Sequence, residues 1–128
     1  MQQATTYPQL LGQVIRYRRE KGGLVQSDIA HAAGLKSASG WSRVESGATT
    51  MTVVQLRRVA RALGREPWEL MKDVDDLARR IEEVAPEMRV LDEKPKGVAG
   101  LWWIIGGAAL AGLVVGLMGN LGGAEEPG

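Results

Sequence analysis

The chain has no cysteine and no phenylalanine, and His31 is its only histidine. Without thiols there is no disulfide framework and no thiolate zinc site, and the composition fits a reducing compartment. A lone imidazole gives no basis for histidine-centred metal or acid–base chemistry. Aromatic residues are only 5% of the chain, so a core has to be aliphatic. No Ser/His/Asp set, no glycine-rich phosphate loop opening a helix and no spaced ligand cluster is present. These absences point to a non-enzymatic binding protein and imply no metal and no cofactor.

Charge is missing from one long stretch. Nothing between Lys96 and Glu125 is charged, and Val98 to Met118 is long enough as a helix to cross a ~30 Å hydrocarbon layer. The segment lies at the C-terminal end, which excludes a signal peptide. Lys94 and Lys96 precede it and Glu125 and Glu126 follow it, so the N-terminal side is expected to be cytoplasmic. Trp102 and Trp103 would then sit at the cytoplasmic interface. Ala108, Gly112 and Gly116 recur every fourth residue, a small-residue face suited to close packing of two spans. The alternative is a buried helix of a soluble protein, disfavoured because so short a chain should not enclose so uniformly apolar a helix.

The remaining charge is segregated. Residues 1–65 hold ten Lys and Arg against three acids, whereas residues 66–93 hold ten acids against four bases. A basic head and an acidic connector follow, and the head is suited to a polyanion. Arg57, Arg58, Arg61 and Arg65 cluster in sequence and are candidates for phosphate contact, the first three above all. An ordinary solvated face is the other reading of the same residues.

Apolar periodicity places helices in the head. Leu10 to Lys21 is the first, stopped by Gly22-Gly23. Ser27–Ala33 and Ser39–Ser46 are short helices closed by Gly34 and Gly47. Thr52 to Leu63 is the fourth, closed by Gly64, and Pro67 opens a fifth. Two short helices joined at a glycine turn within a small basic helical domain have the geometry of a helix-turn-helix.

The sequence resembles the Cro/CI-type (XRE) helix-turn-helix family over about residues 10–72. The likeness is carried by Gln26–Ser27–Asp28–Ile29–Ala30, Ala33–Gly34–Leu35, Ser42–Arg43–Val44–Glu45–Ser46–Gly47, Leu56 to Gly64, and Pro67-Trp68-Glu69-Leu70. The resemblance implies that Gln26 touches phosphate or a base edge. It implies that Lys36, Ser37, Ser39 and Gly40 face the DNA groove, that Arg43 approaches a phosphate or base, and that Glu45 pairs structurally with Arg19. Three departures stand out. Gly34 to Gly47 is one residue longer than usual, Gly40 weakens the recognition helix, and Trp41 replaces a smaller aliphatic. Trp41 is expected in the core, with an outward contact role as the alternative.

Leu70, Val74, Leu77, Ile81, Val84, Met88 and Leu91 alternate spacings of four and three, a heptad seam that Pro86 interrupts. Over Val74–Val84 this seam serves either a parallel homodimer or packing back onto the head. Val90 to Gly100 reads as a flexible joint.

The expected architecture is all-α: a five-helix helix-turn-helix domain (1–72), an acidic helical connector (73–97), a transmembrane helix (98–121) and a short extracytoplasmic tail (122–128). The expected function is a membrane-tethered DNA-binding protein, a transcriptional regulator or DNA anchor. It would be single-pass in a bacterial inner membrane, dimeric through connector and span. The alternatives are a membrane scaffold whose helix-turn-helix binds a protein partner, resembling the RodZ cell-shape architecture, or a subunit of a larger membrane assembly.

Overall fold

A computed structural model describes residues 2–94, 102–104 and 107–123. Its elements run β1 (Gln2–Thr6), α1 (Tyr7–Lys21), α2 (Gln26–Ala32), α3 (Ala38–Glu45), α4 (Val53–Ala62), α5 (Pro67–Val84), β2 (Met88–Leu91), β3 (Trp102–Ile104) and α6 (Gly107–Gly123). The all-α expectation is therefore corrected to a mostly helical chain with a small sheet. The strands are ordered β2-β1-β3 and both pairings are parallel, with Gln3 opposite Met88 and Gln2 opposite Trp102.

Local chemistry sets the helix ends. Thr6 caps α1 in a capping box with Gln9, with Pro8 in the first turn, and Thr52 with Gln55 does the same for α4. Ser37 caps α3 by accepting from the Gly40 amide. Pro67 opens α5, where its missing N–H costs nothing. Gly34 and Gly47 both have φ of +80°, a left-handed turn that other residues enter only with strain. At Gly47 any Cβ would also strike Gln9, so α3 ends hard against the start of α1.

The core is aliphatic, as the composition requires. Leu10, Val14 and Ile15 of α1 pack with Ile29, Val44, Val59, Leu70 and the fully buried Trp41. Val74, Leu77 and Ile81 are buried in the same cluster. The connector seam therefore packs back within the chain, and a coiled-coil homodimer over Val74–Val84 is not what the structure shows. The helix ends at Val84, ahead of Pro86. Val90 and Leu91 belong to β2 rather than to a flexible joint, while 95–100 lie outside the described residues.

The C-terminal region departs most from expectation. Trp102 and Trp103 lie in a strand, and the helix begins only at Gly107. At 17 residues α6 spans about 26 Å. Among the described residues no helix is long and apolar enough to cross a membrane. Instead α6 packs on α1 and α5, burying Leu110, Val114, Leu117 and Met118. Each such side chain contributes roughly 1.5–3 kcal/mol before entropy is counted. Its outward positions are mostly small: Ala109, Gly112, Gly116 and Gly119 are exposed, with Val115 the large exception. For the tail, 124–128 lie outside the described residues.

Two glycines should respond oppositely to alanine. A Cβ on Gly12 would lie 2.3 Å from the Glu45 carbonyl oxygen, a backbone atom. Gly12→Ala is expected to destabilise the fold by about 1–3 kcal/mol. At Gly40 the nearest atoms lie 3.8 Å away, so Gly40→Ala is expected to stabilise α3 by about 0.5–1 kcal/mol. Urea midpoints of the two variants against the parent check both signs.

Candidate nucleic-acid interface

Helices α2 and α3 meet at the Ala33–Gly34–Leu35 turn, and a carboxylate fixes how they sit against α1. Glu45, at the end of α3, is 4% exposed and Arg19 of α1 is 7% exposed. The Arg19 guanidinium donates Nε to Glu45 Oε2 at 2.7 Å and Nη2 to Oε1 at 3.3 Å. Its Nη1 donates to the Leu24 carbonyl at 2.9 Å. The Trp41 indole N–H donates to the same carboxylate, and Gln26 Nε2 donates to Oε1 at 3.1 Å. Two buried charges are thus paired, and among the described residues no buried side-chain polar atom lacks a partner. The longer Gly34–Gly47 segment is accommodated with Trp41 in the core.

The surface that this bracing presents is polar and basic. Lys36, Ser37, Ser39, Ser42 and Arg43 are exposed along the start and outer flank of α3. Gly40 is half-buried in the first turn. The Ser37 and Ser39 hydroxyls lie 2.9 Å apart, so Ser37 serves both as cap and as partner to Ser39. Gln26, half-buried, is turned toward Glu45. Sequence reasoning assigned it only an outward contact and missed this inward bond, which depends on where Glu45 lies in three dimensions.

Helix α4 packs on α2 and carries Arg57, Arg58 and Arg61, all exposed. Arg58 reaches the turn itself, with Nη1 3.1 Å from where a Gly34 Cβ would stand. Arg18 is removed from any such role by its bond to Asp73 of α5, at 2.8 Å from Nη2. Of the small-residue face on α6, Gly112 and Gly116 are exposed, with nothing among the described residues within 4 Å of where a methyl would stand. For Ala108 only the helical backbone is described.

Titration is perturbed away from this surface. Burial, with a 2.6 Å hydrogen bond to Asp75, pushes the Tyr7 hydroxyl up to about 12. The Glu66 amide holds Glu69 below the usual carboxylate range, and Lys72 does the same for Asp76. These groups tie α1 to α5 and brace α5.

Comparison with known proteins agrees with this geometry. Residues 10–71 match the family model described as a helix-turn-helix domain. The fold is similar to that of the clp gene regulator ClgR from Corynebacterium glutamicum, with a TM-score of 0.50 and 24% identity. That match covers 62% of this chain and 95% of the other. No curated protein matches the sequence. The head therefore has a helix-turn-helix fold.

The brace has a measurable weight. Glu45→Ala leaves Arg19 buried without its counter-charge and the Trp41 indole without an acceptor. It is expected to destabilise the fold by about 3–5 kcal/mol. Chemical denaturation measures this, and a loss within experimental error of zero would show that the pair is not what holds α1 to α3.

Proposed function

We propose that the chain is a DNA-binding transcription regulator acting without catalysis. The observation that carries this is the joint exposure of the α3 face (Lys36, Ser39, Arg43) and the α4 arginines (Arg57, Arg58, Arg61) around one helix-turn-helix. In this reading α3 enters the major groove. Arg43 is long and exposed enough to reach a base edge or phosphate, whereas Ser37 and Ser39 offer only short hydroxyls. The α4 arginines neutralise phosphates and supply most of the sequence-independent affinity. The structural neighbour is itself named as a gene regulator, which supports the reading.

Selection from a random duplex pool across a salt series tests it. Arg43→Ala should cost about 1–3 kcal/mol of binding to the selected sequence and relax the preference there. Arg61→Ala should weaken selected and unselected duplexes alike and reduce the salt slope by about one. Absence of binding at low salt would overturn the DNA reading and leave a head that binds protein, as in a scaffold.

A second reading attaches this regulator to the bacterial inner membrane by its C-terminal segment, with the head cytoplasmic. It rests on the absence of charge between Lys96 and Glu125 and on the lysines before that segment. The chain is then expected in the membrane pellet after alkaline carbonate washing. Recovery in the supernatant would remove the tether.

A further inference from the structure

We propose, resting on the DNA reading above, that α6 is an intramolecular cover of the nucleic-acid face: docked, it blocks the path of a phosphate backbone alongside α3. Leu110, in the first turns of α6 and 1% exposed, lines one cleft with Gln13 and Arg16 of α1, Gln26 of α2, Ser42 of α3 and Ser46, the residue that caps α3. Ser42 and Ser46 lie one turn apart on the exposed flank of α3, on either side of Arg43 in sequence. Gln26 opens α2. A duplex seated on α3 needs this flank for its backbone, because the strand beside the groove runs past the ends of both short helices.

The helix in that place has the wrong chemistry for phosphate. Between Gly107 and Gly123 there is no charged residue, and the only polar side chain is Asn120. An apolar, uncharged helix beside Gln26 and Ser46 excludes the counter-charge that the rest of the face is built to supply. The docked position is held by Leu110, Val114, Leu117 and Met118, spaced four, three and one apart on one side of α6. The contact is one-sided. Val115 is 53% exposed, and no hydrogen bond or ion pair among those described joins α6 side chains to the head. The described contacts of α6 are apolar, and apolar packing of this kind parts without orphaning a buried polar group.

The test locks or frees α6 in the full chain. The native sequence has no cysteine, so Glu20→Cys with Val115→Cys introduces the only two thiols. Both positions are exposed and line one cavity between α1 and α6, and neither belongs to the proposed DNA face. A short bis-maleimide should join them within one molecule and lower duplex affinity at least tenfold against the same variant capped with N-ethylmaleimide. Leu110→Asp, which disfavours docking, should raise affinity above the parent, while Ala109→Asp on the exposed side should leave it unchanged.

Efficient linking with unaltered affinity would overturn the cover while leaving the DNA reading intact. Failure to link within one molecule would also overturn it, because α6 would not then lie on α1. If parent, capped variant and Leu110→Asp all ignore DNA at low salt, the DNA reading fails and takes the cover with it.

Discussion

One buried carboxylate organises the head. Glu45 receives hydrogen bonds from Arg19 of α1, Gln26 of α2 and Trp41 of its own helix. Three helices are therefore referred to a single group, and the angle of α3 is set from inside the domain rather than by its exposed residues. This explains why the outer face can consist of short hydroxyls and a glycine without losing its orientation. It also explains why Gly12 must stay bare, since α1 meets the backbone at Glu45 directly. Burying two charges is costly unless their remaining hydrogen-bonding capacity is used, and here the Leu24 carbonyl uses what the carboxylate leaves.

The five head helices were legible because their signals are local. Capping residues, glycine stops and apolar periodicity within α1 to α5 all lie within a few positions of the features they determine. Arg19 with Glu45, twenty-six positions apart, was reached only through resemblance to a family, since no local rule pairs them. The sheet left no such trace. Gln2–Thr6 is polar and does not alternate, yet Ala4, Thr5 and Thr6 are buried because the strand is central. Its partners lie after the last head helix, beyond the reach of any short pattern.

The apolar C-terminal stretch shows a different limit. Periodicity and charge say that such a segment must leave water; they do not say which apolar surface receives it. The objection that a short chain cannot enclose a uniformly apolar helix assumes that every side needs covering. In α6 the uncovered side is mostly Gly and Ala, so little apolar area is left in water even with only one face packed. The heptad seam of α5 was ambiguous in the same way. Its spacing marks a contact face without naming the partner, and the contact proved to be within the chain.

The position of β1 bears on how the molecule is made. The strand sits between two others that are translated only after all five head helices: Gln3 pairs with Met88 and Gln2 with Trp102. Helices α1 to α5 can assemble on the ribosome from contacts already synthesised, with β1 waiting beside them. During that interval both edges of the strand carry unpaired amides and carbonyls, the condition that invites pairing with a neighbouring nascent chain. Closing parallel strands across so long a separation is slow compared with helix packing. A polysome crowded with copies of this chain would therefore expose Gln2–Thr6 as a point of misassembly before its apolar helix is made.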